Sequence, residues 1–210
     1  MDEAQRRLSD QIDHATLRLL GTARVITEPD LRAPSLLRGW TRAHVLGHLA
    51  RGADAMRYLL VSVRTGRDRP GYASAEARQA DIERSASLRP GELVADVADS
   101  AMALRTVARQ LSDAGWQEPV RILDSAPFPA AELLTRRLVE VELHHCDLGA
   151  GYTPADWPPA FAAMELAEPM RSQRADRLNS TRTAEPLAPV RPPAPYRPNQ
   201  RLPGSWLGTR

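Results

Sequence analysis

The stretch GWTRAHVLGHLAR at residues 39–51 decides the fold that this sequence predicts. Thr41 is a typical N-cap residue, because its hydroxyl can accept a hydrogen bond from a backbone N–H of the first helical turn. From there to about residue 65, apolar residues recur at helical spacing: Val45, Leu49, Met56, Leu59, Leu60 and Val63. The stretch therefore predicts a helix over residues 41–65 that carries two histidines, His44 and His48.

Helical periodicity continues on both sides of this stretch. It predicts long helices over residues 3–22, 90–113 and 129–148, a shorter one over 74–85, and a helical fragment after Pro159. Residues 23–40, with Pro29 as a breaker, and residues 115–127 are expected to be loops. No segment of any length alternates with a period of two. Four long helices with irregular connections predict an all-α fold, a four-helix bundle.

The composition changes at Pro169. Eight of the chain's 18 prolines lie from there to the end, and apolar periodicity stops. Such a segment buries too little apolar surface to offset the entropy of ordering it. Residues 1–168 are therefore predicted to form the folded domain, and residues 169–210 a disordered tail rich in proline and arginine. No specific role is expected for the tail, and an arm that binds a partner is the alternative.

Charge and cysteine content exclude several classes of protein. The single cysteine, Cys146, excludes an intramolecular disulfide, so a reducing, cytoplasmic location is expected. No apolar run approaches the ~18 residues of a membrane span. Eight arginines and three acidic residues lie from residue 166 on, so the positive net charge of the chain, +2, comes from the tail. The body is net negative, so no nucleic-acid partner is expected.

Four of the five histidines fall in two groups, His44 with His48 and His144 with His145. Glu140 and His144 are four residues apart, so they project from one face of a helix and could share an ion with His48. Imidazole and carboxylate groups suit Zn²⁺ or another first-row divalent metal. Packing or surface roles are an open alternative for all of these residues. The apolar stripe of this helix is formed by Leu134, Leu138, Val141 and Leu148. His145 lies in the stripe and is predicted to be the buried histidine, but periodicity does not decide which histidine is the ligand.

Several motifs resemble one known family, the mycothiol-dependent maleylpyruvate isomerases. Residues 39–51 resemble its second-helix motif, and residues 139–149 (VEVELHHCDLG) and 151–158 (GYTPADWP) resemble a later one. Residues 72–78 (YASAEAR) are similar too, so the resemblance covers residues 1 to about 165 in order and spacing. Gly52 departs from the family motif, which often has asparagine there, and residues beyond about 168 resemble nothing in the family.

The resemblance implies a DinB-like four-helix bundle with a metal site. The metal ligands that it implies are His48, Glu140 and His144. Their motif neighbours are expected to support the site as catalytic or pocket residues: His44, Arg51, His145 and Asp147. Zinc or another divalent metal is the implied cofactor, and the thiol mycothiol is the implied cosubstrate.

The implied chemistry is activation of the thiol for addition to an electrophile. Maleylpyruvate is the implied substrate of a cis–trans isomerase, and another small electrophile that of a related thiol transferase. Arg51 could hold a substrate carboxylate, while Cys146 is a weaker candidate nucleophile. The alternative is a non-catalytic metal- or thiol-binding helical protein, because full-length isomerases have a further C-terminal domain that contributes to the active site.

Overall fold

Eight α-helices and one short hairpin form residues 1–180, the part of the chain that this computed structural model describes. The hairpin pairs β1 (Pro119–Val120) with β2 (Phe128–Pro129) in antiparallel orientation. The helices are α1 (Glu3–Ala23), α2 (Glu28–Arg32), α3 (Arg42–Thr65), α4 (Ala75–Ala86), α5 (Pro90–Ala108), α6 (Glu132–Asp147), α7 (Pro159–Ala162) and α8 (Met170–Ser180).

The four long helices close a ring. α1 packs on α6, α6 on α3, α3 on α5 and α5 on α1, while α4 lies against α3. Each of the four helices contributes buried apolar side chains to the interior, for example Leu19, Leu46, Leu93 and Leu138. Burial of apolar surface is the main favourable contribution to folding. The predicted all-α four-helix bundle is confirmed. Within residues 1–180, no helix combines the length and the apolarity that crossing a membrane requires.

Local capping fixes where α3 begins and ends. Thr41 accepts a hydrogen bond from the backbone N–H of His44, and the backbone N–H of Thr41 donates to Nδ1 of His44. This reciprocal capping box satisfies two backbone donors at the N-terminus. Gly66, with φ +66°, ends the helix in the left-handed conformation that glycine adopts without strain. His48 therefore lies in the second turn of α3.

Arg42 ties the start of α3 to the end of α6. Its Nε donates to the carbonyl of Leu148 at 2.7 Å, and its Nη2 donates to that of Gly149 at 3.2 Å. Its Nη1 donates to the carbonyl of Asp30 in α2 at 2.9 Å. These bonds satisfy carbonyls that the helix ends leave open. They also hold the histidine-bearing ends of α3 and α6 side by side.

Three segments differ from the sequence-based expectations. Residues 23–40 contain α2, because Pro29 occupies the first helical turn, where its missing N–H costs nothing. Helix α6 begins at Glu132 rather than at Pro129, because Pro129 pairs in β2. Helix α5 ends at Ala108 rather than near residue 113.

The tail prediction needs a correction as well. Met170–Ser180 was predicted to be disordered, but it forms α8 and packs on α6. Met170 is buried there, and Nη1 of Arg174 donates to the carbonyl of Phe161 at 2.8 Å. Tertiary contacts therefore order a segment that lacks an apolar stripe. Residues 181–210 lie outside the described residues, and the domain boundary at residue 168 stays a prediction.

Gly47 lets α4 approach α3 closely. A Cβ added at this position would lie 2.9 Å from Cβ of Ser85 and 3.1 Å from the backbone oxygen of Ile82. Real Cβ atoms do not approach each other this closely without a shift of the structure. Any larger residue would therefore force α4 away from the helix that carries His48.

Substitution of Gly47 by alanine is expected to lower the free energy of unfolding by about 1 kcal/mol. Overpacking costs roughly 1–3 kcal/mol, which exceeds the ~1 kcal/mol that alanine gains over glycine inside a helix. Gly21→Ala in α1 is the matched control, since nothing lies within 4 Å of its added Cβ. We expect that variant to be more stable than the wild type in urea unfolding. Equal stability of the two variants would contradict the close α3–α4 contact.

Candidate metal centre

Two histidines from neighbouring helices meet at one end of the bundle. Nε2 of His48 in α3 lies 3.1 Å from Nε2 of His144 in α6. The two rings are 4.7 Å apart and nearly perpendicular, at 86°. Two ring nitrogens come this close when one donates a proton to the other or when both face a shared cation. The structure thus brings together two of the three residues that the resemblance assigns to a metal.

Glu140 lies one turn before His144 and faces α3 at Gly52. A Cβ at position 52 would lie 3.1 Å from Oε2 of Glu140. This oxygen is buried and accepts no hydrogen bond from the described residues, and Nη1 of Arg137 lies 3.6 Å away. A buried polar atom without a hydrogen bond costs about 1–3 kcal/mol. Oε2 is therefore available as a ligand for a cation.

Asp147 fixes the tautomer of His144. Its Oδ2 lies 2.8 Å from Nδ1 of His144, so Nδ1 carries the proton and donates it to the carboxylate. The lone pair then resides on Nε2, the nitrogen that faces His48. A histidine that ligates a metal is commonly oriented in this way by a carboxylate behind it.

His48 is held neutral, although with a less favourable tautomer. Burial, followed by the charges of His144, Arg78 and Arg137, holds its pKa well below the usual value. Nη2 of Arg78 lies 3.0 Å from Nδ1 of His48. Because a guanidinium only donates, Nδ1 accepts and Nε2 carries the proton toward His144. For Nε2 of His48 to ligate a metal, Arg78 must release Nδ1.

The donor set fits a divalent cation under this condition. Two imidazoles and one carboxylate with an unsatisfied oxygen are ligands typical of Zn²⁺. As the side chains stand, no three His, Cys, Asp or Glu residues among positions 1–180 are grouped closely enough to hold an ion. The helices therefore supply the right ligands, and the side chains of Arg78 and Glu140 would have to turn for all three to reach one ion.

The other residues that the resemblance assigns to the site lie in different surroundings. His44 caps α3, and its Nε2 lies 2.8 Å from Glu83 of α4. Arg51 pairs with Asp96 of α5 and, at 3.2 Å, with Asp54. Both side chains thus connect α3 to neighbouring helices. The guanidinium of Arg51 is already engaged by two carboxylates.

His145 faces away from the cluster, toward α1. It is buried, its ring stacks on that of Tyr152 at 3.7 Å, and its Nε2 lies 2.7 Å from Oγ1 of Thr22. Burial lowers the pKa of His145 to about 3. The apolar stripe thus correctly predicted that His145 is buried. Of the four residues proposed around the metal, Asp147 is the one whose side chain hydrogen-bonds to His144.

A groove of about 1250 Å³ lies between the C-terminal end of α3, residues 66–76 and residues 112–127. Tyr72 lines this groove. Burial and the charge of Glu140 raise the pKa of Tyr72 to about 12. Arg78 lies over the ring of Tyr72 at 5.7 Å. Tyr72 and Arg78 both belong to the 72–78 motif, but the sequence alone predicted no role for either residue.

Cys146 lies in the last turn of α6, directly after His145 in the chain. The side chain is buried, and this burial raises the pKa of the thiol to about 12. A thiol with such a pKa is almost entirely protonated at neutral pH and is a poor nucleophile. The structure therefore does not support Cys146 as a nucleophile.

Comparison with known proteins adds an independent observation. Residues 12–149 match the family described as "Mycothiol maleylpyruvate isomerase N-terminal domain". A crystal structure of the mycothiol-dependent maleylpyruvate isomerase is similar, with 30% sequence identity and a TM-score of 0.71. A structure of a histidine-to-alanine mutant of that isomerase has 29% identity and a TM-score of 0.71. The fold class predicted from the sequence, a DinB-like bundle, is confirmed.

These likenesses cover part of each protein. They extend over 75% of this chain and 65% of each solved isomerase chain. The present chain thus corresponds to slightly less than two thirds of the length of those proteins. No curated protein matches the chain.

The thiol of Cys146 is expected to resist alkylation in the native protein. At pH 8 a group with a pKa of about 12 is almost wholly protonated, and the side chain is buried. Iodoacetamide treatment followed by mass spectrometry should show an unmodified native chain, and full modification after urea unfolding. Rapid modification of the native chain would contradict this placement of Cys146.

Proposed function

The chain belongs to the mycothiol maleylpyruvate isomerase N-terminal domain family, and we propose that it acts as a mycothiol-dependent metalloenzyme. Its reaction would be the addition of an activated thiol to an electrophile, either as a maleylpyruvate cis–trans isomerase or as a related thiol transferase. The observation that carries the proposal is the 3.1 Å approach of His48 and His144, beside a buried Glu140 oxygen without a hydrogen bond.

The metal in this proposal is Zn²⁺ or another divalent ion, held by His48, Glu140 and His144. A cation in this position would stabilise the thiolate form of a bound thiol and so lower the pKa of that thiol. The neutral state of His48 favours the role, because only an uncharged imidazole has a lone pair to share. Asp147 keeps the lone pair of His144 on Nε2.

Arg78 and Tyr72 are the residues best placed to hold a substrate. Arg51, which the sequence suggested for a substrate carboxylate, is already paired with Asp54 and Asp96. Arg78 lies next to both His48 and Tyr72, and Tyr72 lines the groove. Binding of the cation to Nε2 of His48 would release Arg78 from Nδ1, since Nδ1 must then carry the proton. The released guanidinium would be available to a substrate carboxylate.

In the isomerase version, the thiol sulfur adds to a carbon of the cis double bond and the electron pair moves to the conjugated carbonyl. Rotation about the resulting single bond follows. The electron pair then returns, the carbon–sulfur bond breaks and the trans product leaves with the thiol unchanged. Atoms and electrons balance without a further reactant.

Metal content tests the ligand assignment. The wild-type chain is expected to bind one zinc ion, whereas His144→Ala and Glu140→Ala should bind it at least tenfold more weakly, because each removes one ligand. His14→Ala is the matched control, since His14 is exposed on α1. Competition with a chromophoric chelator gives the affinities, and circular dichroism checks the fold. Unchanged affinity of His144→Ala would contradict the assignment.

Turnover tests the chemistry separately. The zinc-loaded chain with mycothiol is expected to convert maleylpyruvate to its trans isomer, or to attach the thiol to a model electrophile, and to do neither when the thiol is omitted. Absorbance of the conjugated product and mass spectrometry provide the readouts. A chain that binds zinc but shows no thiol-dependent turnover would contradict the enzyme proposal. That result would favour the alternative of a non-catalytic metal- or thiol-binding protein.

A further inference from the structure

Helix α8 lies beyond residues 12–149, the part of the chain that matches the family, yet it reaches the histidine cluster. Its side chain in contact with the cluster is Arg177. Nε of Arg177 donates to Oδ1 of Asp147 at 3.1 Å, and Nη2 donates to Oδ2 at 2.8 Å. The pair is well shielded from water, with the Arg177 side chain 20% exposed and that of Asp147 5% exposed. A shielded bidentate pair fixes both distance and orientation.

One oxygen of Asp147 serves two donors. Oδ2 accepts from Nη2 of Arg177 and from Nδ1 of His144, each at 2.8 Å. A carboxylate bonded to His144 alone could rotate about its Cβ–Cγ bond and move Oδ2. The second bond from Arg177, to Oδ1, opposes this rotation. The orientation of the His144 ring thus depends on a residue 33 positions further along the chain.

Helix α8 also docks by contacts that do not involve Arg177. Met170 is buried at its first turn. Arg174 donates to the carbonyl of Phe161 and lies over its ring at 5.8 Å. Loss of the Arg177 side chain would therefore leave these contacts in place, so the effect on Asp147 can be separated from the docking of the helix.

We propose that Arg177 is a positioning residue of the metal centre, which acts through Asp147 to hold His144 in the orientation that binds the ion. The inference rests on the proposed function, because it requires His144 to be a ligand. It makes α8 part of the site, and for residues 170–180 it replaces the expectation that the tail has no specific role. Arg177 thus orients the Asp147 carboxylate, which in turn orients His144, and such outer hydrogen bonds are common behind metal-binding histidines.

The test compares zinc affinities of full-length variants. Arg177→Met should weaken zinc binding about tenfold. Arg171→Met is the matched control, because Arg171 lies on the same helix and its recorded ion pair is with Glu168 on the surface. That variant should bind zinc within about twofold of the wild type. Equal affinities of the two variants would overturn the inference.

A double-mutant cycle separates positioning from simple docking. In an Asp147→Ala background, Arg177→Met should cause no further loss of affinity beyond about twofold, because its path to His144 is already broken. A loss as large as in the wild-type background would mean that Arg177 acts by another route, and would overturn the proposal.

The Nδ1–H proton of His144 gives a readout that does not depend on metal. In the zinc-free chain it should exchange with water faster in Arg177→Met than in Arg171→Met, as followed by NMR. Identical exchange would count against the positioning role. A wild-type chain that binds no zinc would instead contradict the proposed function, and with it the ground for this role. Normal wild-type binding with equal variants would overturn the role of Arg177 alone.

Discussion

The contact between α3 and α6 at Arg137 is the constraint on which the site depends. Arg137 is fully buried, and its Nη1 donates to the carbonyl of Leu49 at 2.8 Å. Burial lowers the pKa of Arg137, and the nearby Glu140 carboxylate opposes this effect. Glu140 lies opposite Gly52 and His144 lies opposite His48, so a step toward the C-terminus of one helix is a step toward the N-terminus of the other. This antiparallel register, set by a buried cation, is what makes the two imidazoles meet.

Glycines on both sides of His48 make the approach possible. Each glycine inside a helix costs about 1 kcal/mol relative to alanine, and α3 contains two of them in its first half. Gly47 admits α4, and Gly52 admits the carboxylate of Glu140. The absent side chain at position 52 has a second effect, since Oε2 of Glu140 has no hydrogen-bond partner there.

The sequence predicted the long helices well because capping residues and apolar periodicity are local signals. It missed α2, where Pro29 begins a helix rather than breaking one, and α8, where Arg174 and Met170 provide contacts that no periodic pattern announces. Periodicity correctly placed His145 in the interior but could not choose between His144 and His145 as a ligand. The family resemblance supplied that choice. No sequence pattern predicts the contacts of Arg78 and Arg177, because each of them lies 30 residues along the chain from its partner.

Anomalous diffraction at the zinc absorption edge, from crystals of the full chain soaked in zinc, tests the central claim most directly. The account predicts a single strong peak between α3 and α6. It should lie about 2.0–2.2 Å from Nε2 of His48, Nε2 of His144 and one oxygen of Glu140, with Arg78 turned away from His48. A zinc peak at another position, or no peak between the two histidines at full zinc loading, would contradict the proposed metal site.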